Sequence, residues 1–372
     1  MKTYRLKYIL ISGCFVLLIT GCKTAQSLQL QTRVESSAVP GQFNDSVPSD
    51  SMNFSQMEWK SVFKDDNLIA LIDAALTNNQ ELHILKQEIE SVRGEVRAKR
   101  GEILPIAGVR LGAGMDKFGE YTRDGAVESQ LEIEPGKHFP HPLGDFLVGG
   151  YFSWEIDVWK KLRNSKNAAV SRFLGSIEGK NFLTSQLVSE IAETYFELIA
   201  LDQKREIINR NISIQEKALE VVKQQKEAAR VSQLAINRFE AQLLNTKNLK
   251  FEVQQEIVLC ESKINYLVGR FPQKITRDLQ SFNETAFPEL STGVPSQLLL
   301  NRPDIRQAEQ EQSAARLDVK VAKANFLPQF SISANLGFNA FRPQVWFNPQ
   351  SLLYNLVGDL MMPLLNRNGL KA

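Results

Sequence analysis

Cysteine is what this sequence most nearly lacks. Its 372 residues hold three, Cys14, Cys22 and Cys260. The first two lie in or beside an apolar N-terminal run from Tyr8 to Thr20, which leaves Cys260 alone in the body of the chain. One thiol can form neither an internal disulfide nor a thiolate metal site. Histidine is equally scarce, with three in all. His138 and His141 flank Phe139-Pro140, but with no cysteine to join them the pair is a poor basis for a metal site. Net charge is small too. Forty-four basic residues against 42 acidic ones leave +2, which gives no reason to expect a nucleic acid. No run approaches the roughly 20 apolar residues that a membrane-spanning helix requires. There is no phosphate-cradling glycine loop before a helix, and no Ser/His/Asp set with supporting context. The sequence therefore predicts no enzyme, no catalytic residue, no metal and no cofactor beyond a covalent lipid.

The N-terminus carries an address. Lys2, Arg5 and Lys7 precede the apolar run, which has the length and flanks of a secretory signal. It ends in Ile19-Thr20-Gly21-Cys22, which resembles the bacterial lipobox. That resemblance implies a signal peptide over 1–21, cleaved before Cys22, whose thiol then carries diacylglycerol. Lys23 follows in place of an aspartate, which in many Gram-negative systems favours the outer membrane. Residues 22–55 are rich in Ser, Gln, Val and Pro without a sustained period, and they read as a lipidated tether, either a disordered linker or an extended strap.

Beyond the tether, two periods alternate. A short helix over Leu68 to Leu76 is broken at Asn78-Asn79. Leu82, Leu85, Ile89, Val92 and Val96 then recur with the 3,4 spacing of a helix packed on a helix. After Pro105 the period drops to two: Val109, Leu111, Ala113 and Met115 alternate with Gly108, Arg110, Gly112 and Gly114, predicting a strand over about 105–116. A Gly-, Pro- and Asp-containing stretch leads to a second strand, about 146–157, with Phe146, Val148, Phe152, Trp154 and Ile156 on one face. A helical hairpin of about 160–268 follows, turning near Arg230-Val231-Ser232 with Ser232 as the N-cap. Its return seam runs Ile236, Phe239, Leu243, Thr246, Lys250, Val253, Ile257, Cys260, Ile264 and Leu267, which makes Cys260 a packing thiol. Gly269 and Pro272 close it.

The chain then repeats itself. Leu104-Pro105 and its alternation match Leu327-Pro328 followed by Phe330, Ile332, Ala334, Leu336 and Phe338; in the same register Leu82 matches Ile305, and Leu162-Arg163 finds a counterpart in Leu370-Lys371. Strands are predicted over about 328–339 and 353–363. The division is thus a first repeat over 56–272, a linker over 273–300 and a second repeat over 301–372, each of the form short helix, strand, strand, long helical hairpin. By this analogy the second hairpin, about a hundred residues, would follow Ala372, and a chain without it is expected to form no sealed, gated duct.

Each strand is about ten residues, apolar on one face and small or polar on the other, which suits a tilted strand with lipid outside and water inside. A soluble sheet with one buried face predicts the same alternation, but no second apolar surface is free to cover four such strands. Four strands cannot close a barrel, and open edges in lipid leave backbone groups unpaired. Three chains would supply twelve strands. Glu155 and Asp157 would then face the lumen, either biasing it toward cations or simply lining it. Met361-Met362 is no metal path, since adjacent strand residues point to opposite faces.

The most specific string is Pro295-Ser296 with Leu298-Leu299, then Asn301-Arg302-Pro303-Asp304-Ile305-Arg306 and Ala308-Glu309. With Ser153-Trp154-Glu155-Ile156-Asp157, Leu162-Arg163, Ala75-Leu76, Asn79 and Leu82, it resembles the TolC-type outer-membrane efflux factors, in particular the lipoprotein branch serving resistance-nodulation-division pumps. Asn301 stands where that branch has arginine. The resemblance implies an α+β membrane protein: a homotrimeric twelve-stranded barrel on a periplasmic helical barrel, lipid-anchored and acting as a passive duct for small toxic compounds. Its implied partners are a periplasmic adaptor, an inner-membrane pump and outer-membrane lipid. Arg230, Val231, Ser232, Gln233 and Leu234 match the hairpin tip where the adaptor docks, although Ala229-Arg230 and Ala235 depart from the Gly and Asp common there. A non-conducting, adaptor-binding envelope lipoprotein and a duct for protein or polysaccharide export are the other readings the sequence leaves open.

Overall fold

The computed structural model describes residues 58–278 and 300–363. The expectations for Cys22, the tether, Pro295 to Leu299 and Leu370-Lys371 concern residues outside these. The described helices are α1 (Trp59–Val62), α2 (Asp66–Asn78), α3 (Gln80–Gly101), α4 (Arg123–Gln130), α5 (Lys161–Glu227), α6 (Gln233–Val268) and α7 (Pro303–Ala324). The strands are β1 (Ile106–Asp116), β2 (Glu132–Glu134), β3 (Lys137–His138), β4 (Leu143–Ile156), β5 (Gln329–Ala340) and β6 (Leu352–Met361). No described helix is long and apolar enough to cross a membrane.

The internal repeat is visible as geometry. α3 and α7 are each 22 residues long, each ends just before a Leu-Pro step, and each feeds a strand of similar length. Asn79 ends α2 and starts α3. Its side-chain oxygen accepts from Leu82 N at 3.0 Å while its Nδ2 donates to Leu267 O at 2.9 Å, so one buried amide joins α2, α3 and α6. Pro303 and Asp304 occupy the first turn of α7, where a missing N–H is harmless and a carboxylate opposes the dipole. Two tryptophans brace the junction of sheet and helices, Trp154 within the first repeat and Trp159 between the first and the second. Trp154 Nε1 donates to Ile103 O at 3.1 Å and Trp159 Nε1 to Pro328 O at 2.7 Å.

β1, β4, β5 and β6 form one antiparallel sheet in that order. Residues opposite each other across a ladder share a face, so the register decides what the alternation means. Leu111, Val148, Phe338 and Leu352 make one row, and Val109, Gly150, Leu336 and Tyr354 the next. While Leu147, Leu353 and Val357 fall on the other side, most of the large apolar residues of the four strands thus collect on one face. That face covers no core: Val109, Leu111, Tyr354 and Leu356 are each about three-quarters exposed. On the opposite face Gly149 stands against Gly337. A Cβ on Gly337 would overlap Val148 O, so the strands approach this closely only because the side chain is absent.

β4 begins at Leu143, three residues before the expected start. Leu143 and Gly144 pair with Asp116 and Met115, continuing the ladder through residues that read locally as turn formers. The stretch read as loop also holds α4, whose Thr122 cap accepts from Gly125 N at 3.2 Å, and the β2–β3 hairpin.

α5 has 67 residues, or about 100 Å of helix at 1.5 Å per residue. It turns into α6 through Ala229, which has φ +55. Ala229 N donates to Lys226 O and Arg230 N to Gln225 O, each at 2.8 Å, the paired bonds of a Schellman motif. Along α6, Ile236, Leu243, Thr246, Val253, Ile257, Ile264 and Leu267 are buried, Cys260 is half-buried, and Phe239 and Lys250 face outward. An α-helix drifts relative to a strict seven-residue repeat, so a ten-member seam is not buried along its whole length by one partner.

The core lies in the helices. Leu68, Ile72 and Ala75 of α2 pack with Ile191, Tyr195, Leu198 and Ile199 of α5 and with Val253, Ile257, Ile264 and Val268 of α6. The expected linker from 273 starts later than predicted. Ile275 is buried in this core, and Arg277 pairs with Asp202 of α5 and, at 2.6 Å, with Glu261 of α6. Burial pulls the Arg277 guanidinium down, but the two carboxylates outweigh it and hold the group above its ordinary value. The sequence pattern hides this because the segment is held by scattered contacts with no period, among them Ile275, Arg277 and the Gln273 carbonyl, which accepts from Asn265 Nδ2 at 2.6 Å.

Candidate functional site

Two surfaces carry the sequence's functional expectations: the small and polar face of the sheet, and the far end of the helical hairpin. The first is built by register. Across it lie Gly108, Arg110, Gly112 and Gly114 of β1, Asp145, Tyr151, Ser153 and Glu155 of β4, Ser331, Ser333, Asn335 and Asn339 of β5, and Asn355 and Asp359 of β6. Neighbouring polar residues bond across the strands. Asn339 Nδ2 donates to Asp145 Oδ1 at 2.9 Å, and Asn335 Nδ2 to Asn355 Oδ1 at 2.8 Å. A row of amides and hydroxyls of this kind is wettable, while the reverse face has no charged residue in any of the four strands.

The two carboxylates expected to face a lumen separate. Glu155 lies on the polar face but is ion-paired with Lys161. Asp157 is past the strand end, and the expectation of an open carboxylate there does not hold. Its oxygens accept from Leu162 N at 3.0 Å and Arg163 N at 2.9 Å, and its side chain is 4% exposed. It caps the N-terminus of α5, where unpaired N–H groups favour an anion. Alternation placed Asp157 in phase with Glu155, but the chain leaves the strand at Ile156.

At the other end of the molecule, Arg230, Ser232, Gln233 and Leu234 are exposed and Val231 is half-buried. Ser232 occupies the N-cap position without a side-chain cap bond. His138 and His141 are both exposed, and no group of three His, Cys, Asp or Glu suited to a metal occurs among the described residues. Met361 closes β6.

The Arg-Pro-Asp-Ile-Arg string has a structural role that its residue types alone do not reveal. Arg302 and Asp304 pair side by side, and that bond holds the Asp304 carboxyl below its usual range. Arg306 reaches Glu178 of α5 at 2.5 Å. Gly175 and Gly179 of α5 lie beneath Gln310 and Gln307 of α7, which lets the two helices approach. On the side of α5 facing α3, Arg93 stacks over the Phe173 ring at 5.3 Å. The two repeat helices thus both pack against the first half of α5.

A family model described as outer membrane efflux protein matches residues 71–270 and 294–372, well over half of the sequence. The chain belongs to the outer membrane efflux protein family. It is similar to the pyoverdine export outer membrane protein OpmQ of Pseudomonas aeruginosa, 25% identical over 316 residues, covering 85% of this chain and 65% of OpmQ. It is also similar to the probable outer membrane lipoprotein SilC of Salmonella typhimurium, 23% identical over 373 residues, covering 99% of this chain and 76% of SilC. Among solved structures, the outer-membrane channel OprN superposes with a TM-score of 0.76 at 22% identity, over 90% of this chain and 73% of that one. That likeness carries the fold. The chain spans about two thirds of the length of OpmQ.

Proposed function

We propose that this chain is a subunit of a passive outer-membrane efflux duct. The observation that carries the reading is the sheet. Its apolar face is exposed and uncharged, its other face is largely polar, and among the described residues β1 and β6 each leave one edge open. Water on one side, lipid on the other and neighbouring chains at the edges satisfy all three conditions. With three copies the edges close into twelve strands, and no backbone group is left unpaired in lipid. The helical hairpins then gather below into a tube standing in the periplasm.

Within this reading the lipid on Cys22 anchors each protomer, and the tip from Arg230 to Leu234 meets a periplasmic adaptor. An inner-membrane pump of the resistance-nodulation-division class supplies the energy, and small toxic compounds are the cargo. The duct itself performs no chemistry. A non-conducting lipoprotein would have no use for a polar sheet face backed by an apolar one.

Reconstitution of the full chain tests this. The expected results are an assembly of about three times the monomer mass in mild detergent and stepwise conductance in planar bilayers. A monomer lacking β-type circular dichroism and conductance overturns the reading.

A further inference from the structure

The four strands of the sheet contain a single cationic residue, Arg110, and four carboxylates: Asp116, Asp145, Glu155 and Asp359. Their positions are not mixed. Asp116 is the last residue of β1 and Asp145 the third of β4, both at the end of the sheet away from the helices. Glu155 and Asp359 lie at the opposite end, both beside Ser331 of β5. Glu155 is neutralised by Lys161, whereas Asp145 is bonded to an uncharged amide. Arg110 sits between the two ends, the fifth residue of β1 and in one row with Gly149, Gly337 and Leu353.

We infer that Arg110 is a selectivity-determining residue of the duct, a ring of guanidinium groups midway along the lumen that favours solutes bearing a carboxylate, phosphate or sulfonate. The inference rests on the duct reading above. Its face is fixed by register, since Arg110 alternates with Val109 and Leu111 on the lipid side. A charge on the lipid side near mid-bilayer would be strongly disfavoured. Its reach is fixed by its neighbours. Gly112 stands two residues along on β1 and Gly149 stands opposite on β4, which leaves those two sides free of a large neighbour; on the third side the Tyr151 ring lies over Gly108, and Arg110 stays exposed. A ring of fixed like charges sets which ions pass. The barrel then has an acidic–basic–acidic profile, and the family's passive passage gains a charge filter that no helix contributes.

The test is the reversal potential of single channels in a KCl gradient, comparing the full chain with Arg110→Gln and Asp359→Asn. At ~0.1 M salt, where a charge acts over about 10 Å, Arg110→Gln is expected to raise the potassium-to-chloride permeability ratio about twofold or more. Asp359→Asn shifts it the other way. Both differences shrink near ~1 M, where screening cuts that range to about 3 Å. Channels whose reversal potential is unchanged by Arg110→Gln overturn the inference and leave the duct standing. Cysteine labelling in membranes separates the two failures. In a Cys260→Ser background, a membrane-impermeant thiol reagent should modify Arg110→Cys and spare Val109→Cys. Equal labelling of these neighbours, together with absent conductance, overturns the duct reading itself.

Discussion

Gly337 shows how much a single missing side chain decides. Because its Cβ would overlap Val148 O and stand 2.5 Å from Gly149 Cα, Gly337→Ala must push β4 and β5 apart. Overpacking of this kind costs ~1–3 kcal/mol, so the dissociation temperature of the detergent-solubilised assembly should fall clearly. Gly358 lies in the next strand with nothing within 4 Å of its added Cβ, and Gly358→Ala should leave that temperature almost unchanged. Tyr195 offers a second residue-scale test. It is fully buried, its hydroxyl donates to Asp65 Oδ2 at 2.8 Å, and burial followed by the Asp65 bond pushes its pKa well above the usual value of 10.0. A folded-state value raised above the unfolded one contributes stability that is present below the unfolded pKa and is lost as pH climbs toward the folded one. Thermal stability should therefore decline more steeply above about pH 10 than in Tyr195→Phe, which removes the titrating hydroxyl. Parallel melting curves across pH 9–11 for the two proteins would contradict the assignment.

The elements are unequally legible in the sequence. The strands are plain, since a helical period that gives way to a two-residue period at a Leu-Pro step marks a change of element, and the repeat supplies each strand with a control. The hairpin's length follows from unbroken helical spacing and its closure from Gly269. What stays hidden depends on contacts between distant residues. β4 starts at Leu143 because β1 is long enough to pair with it, and Asp157 leaves the strand's phase to cap a helix. The charge profile of the polar face is invisible until register sets Asp359 level with Glu155. Asn79 lies between these cases, because its place between two helices is readable while its bond to Leu267 is not. Asn79→Ala removes a helix cap, worth about 1 kcal/mol, and strands a buried carbonyl, worth ~1–3 kcal/mol. A combined loss of roughly 2–4 kcal/mol should appear in denaturant unfolding followed by helical circular dichroism. A loss under about 0.5 kcal/mol, typical of surface changes, would show that the α2–α3–α6 junction does not depend on this amide.

At the scale of the whole molecule, the two halves are held together by different physics. The helical half has its own buried cluster, from Leu68 to Val268, reinforced by Arg277 with Asp202 and Glu261. The sheet has its ladders and a few side-chain bonds but no buried cluster of this kind among the described residues, and β1 and β6 are largely exposed. In water without detergent, the protein should therefore show strong helical dichroism with little sheet signal, and protected amides in α2, α5 and α6 beside fast-exchanging ones in the strands. Detergent micelles should restore the strand signal. Sheet content that is equally protected in both conditions would show that the strands need no lipid.

That separation sets an order of events for a newly exported chain. A segment able to bury its own apolar residues can fold in the aqueous periplasm before it meets any bilayer, guided by contacts within one polypeptide. The strands cannot join it there, since their apolar face and open edges would invite aggregation. The helical half thus acts as the molecule's own holding device. Through α3, α5 and α7 it fixes where β1, β4 and β5 begin or end, and in the proposed trimer it postpones the meeting of chains until a membrane is present to receive them.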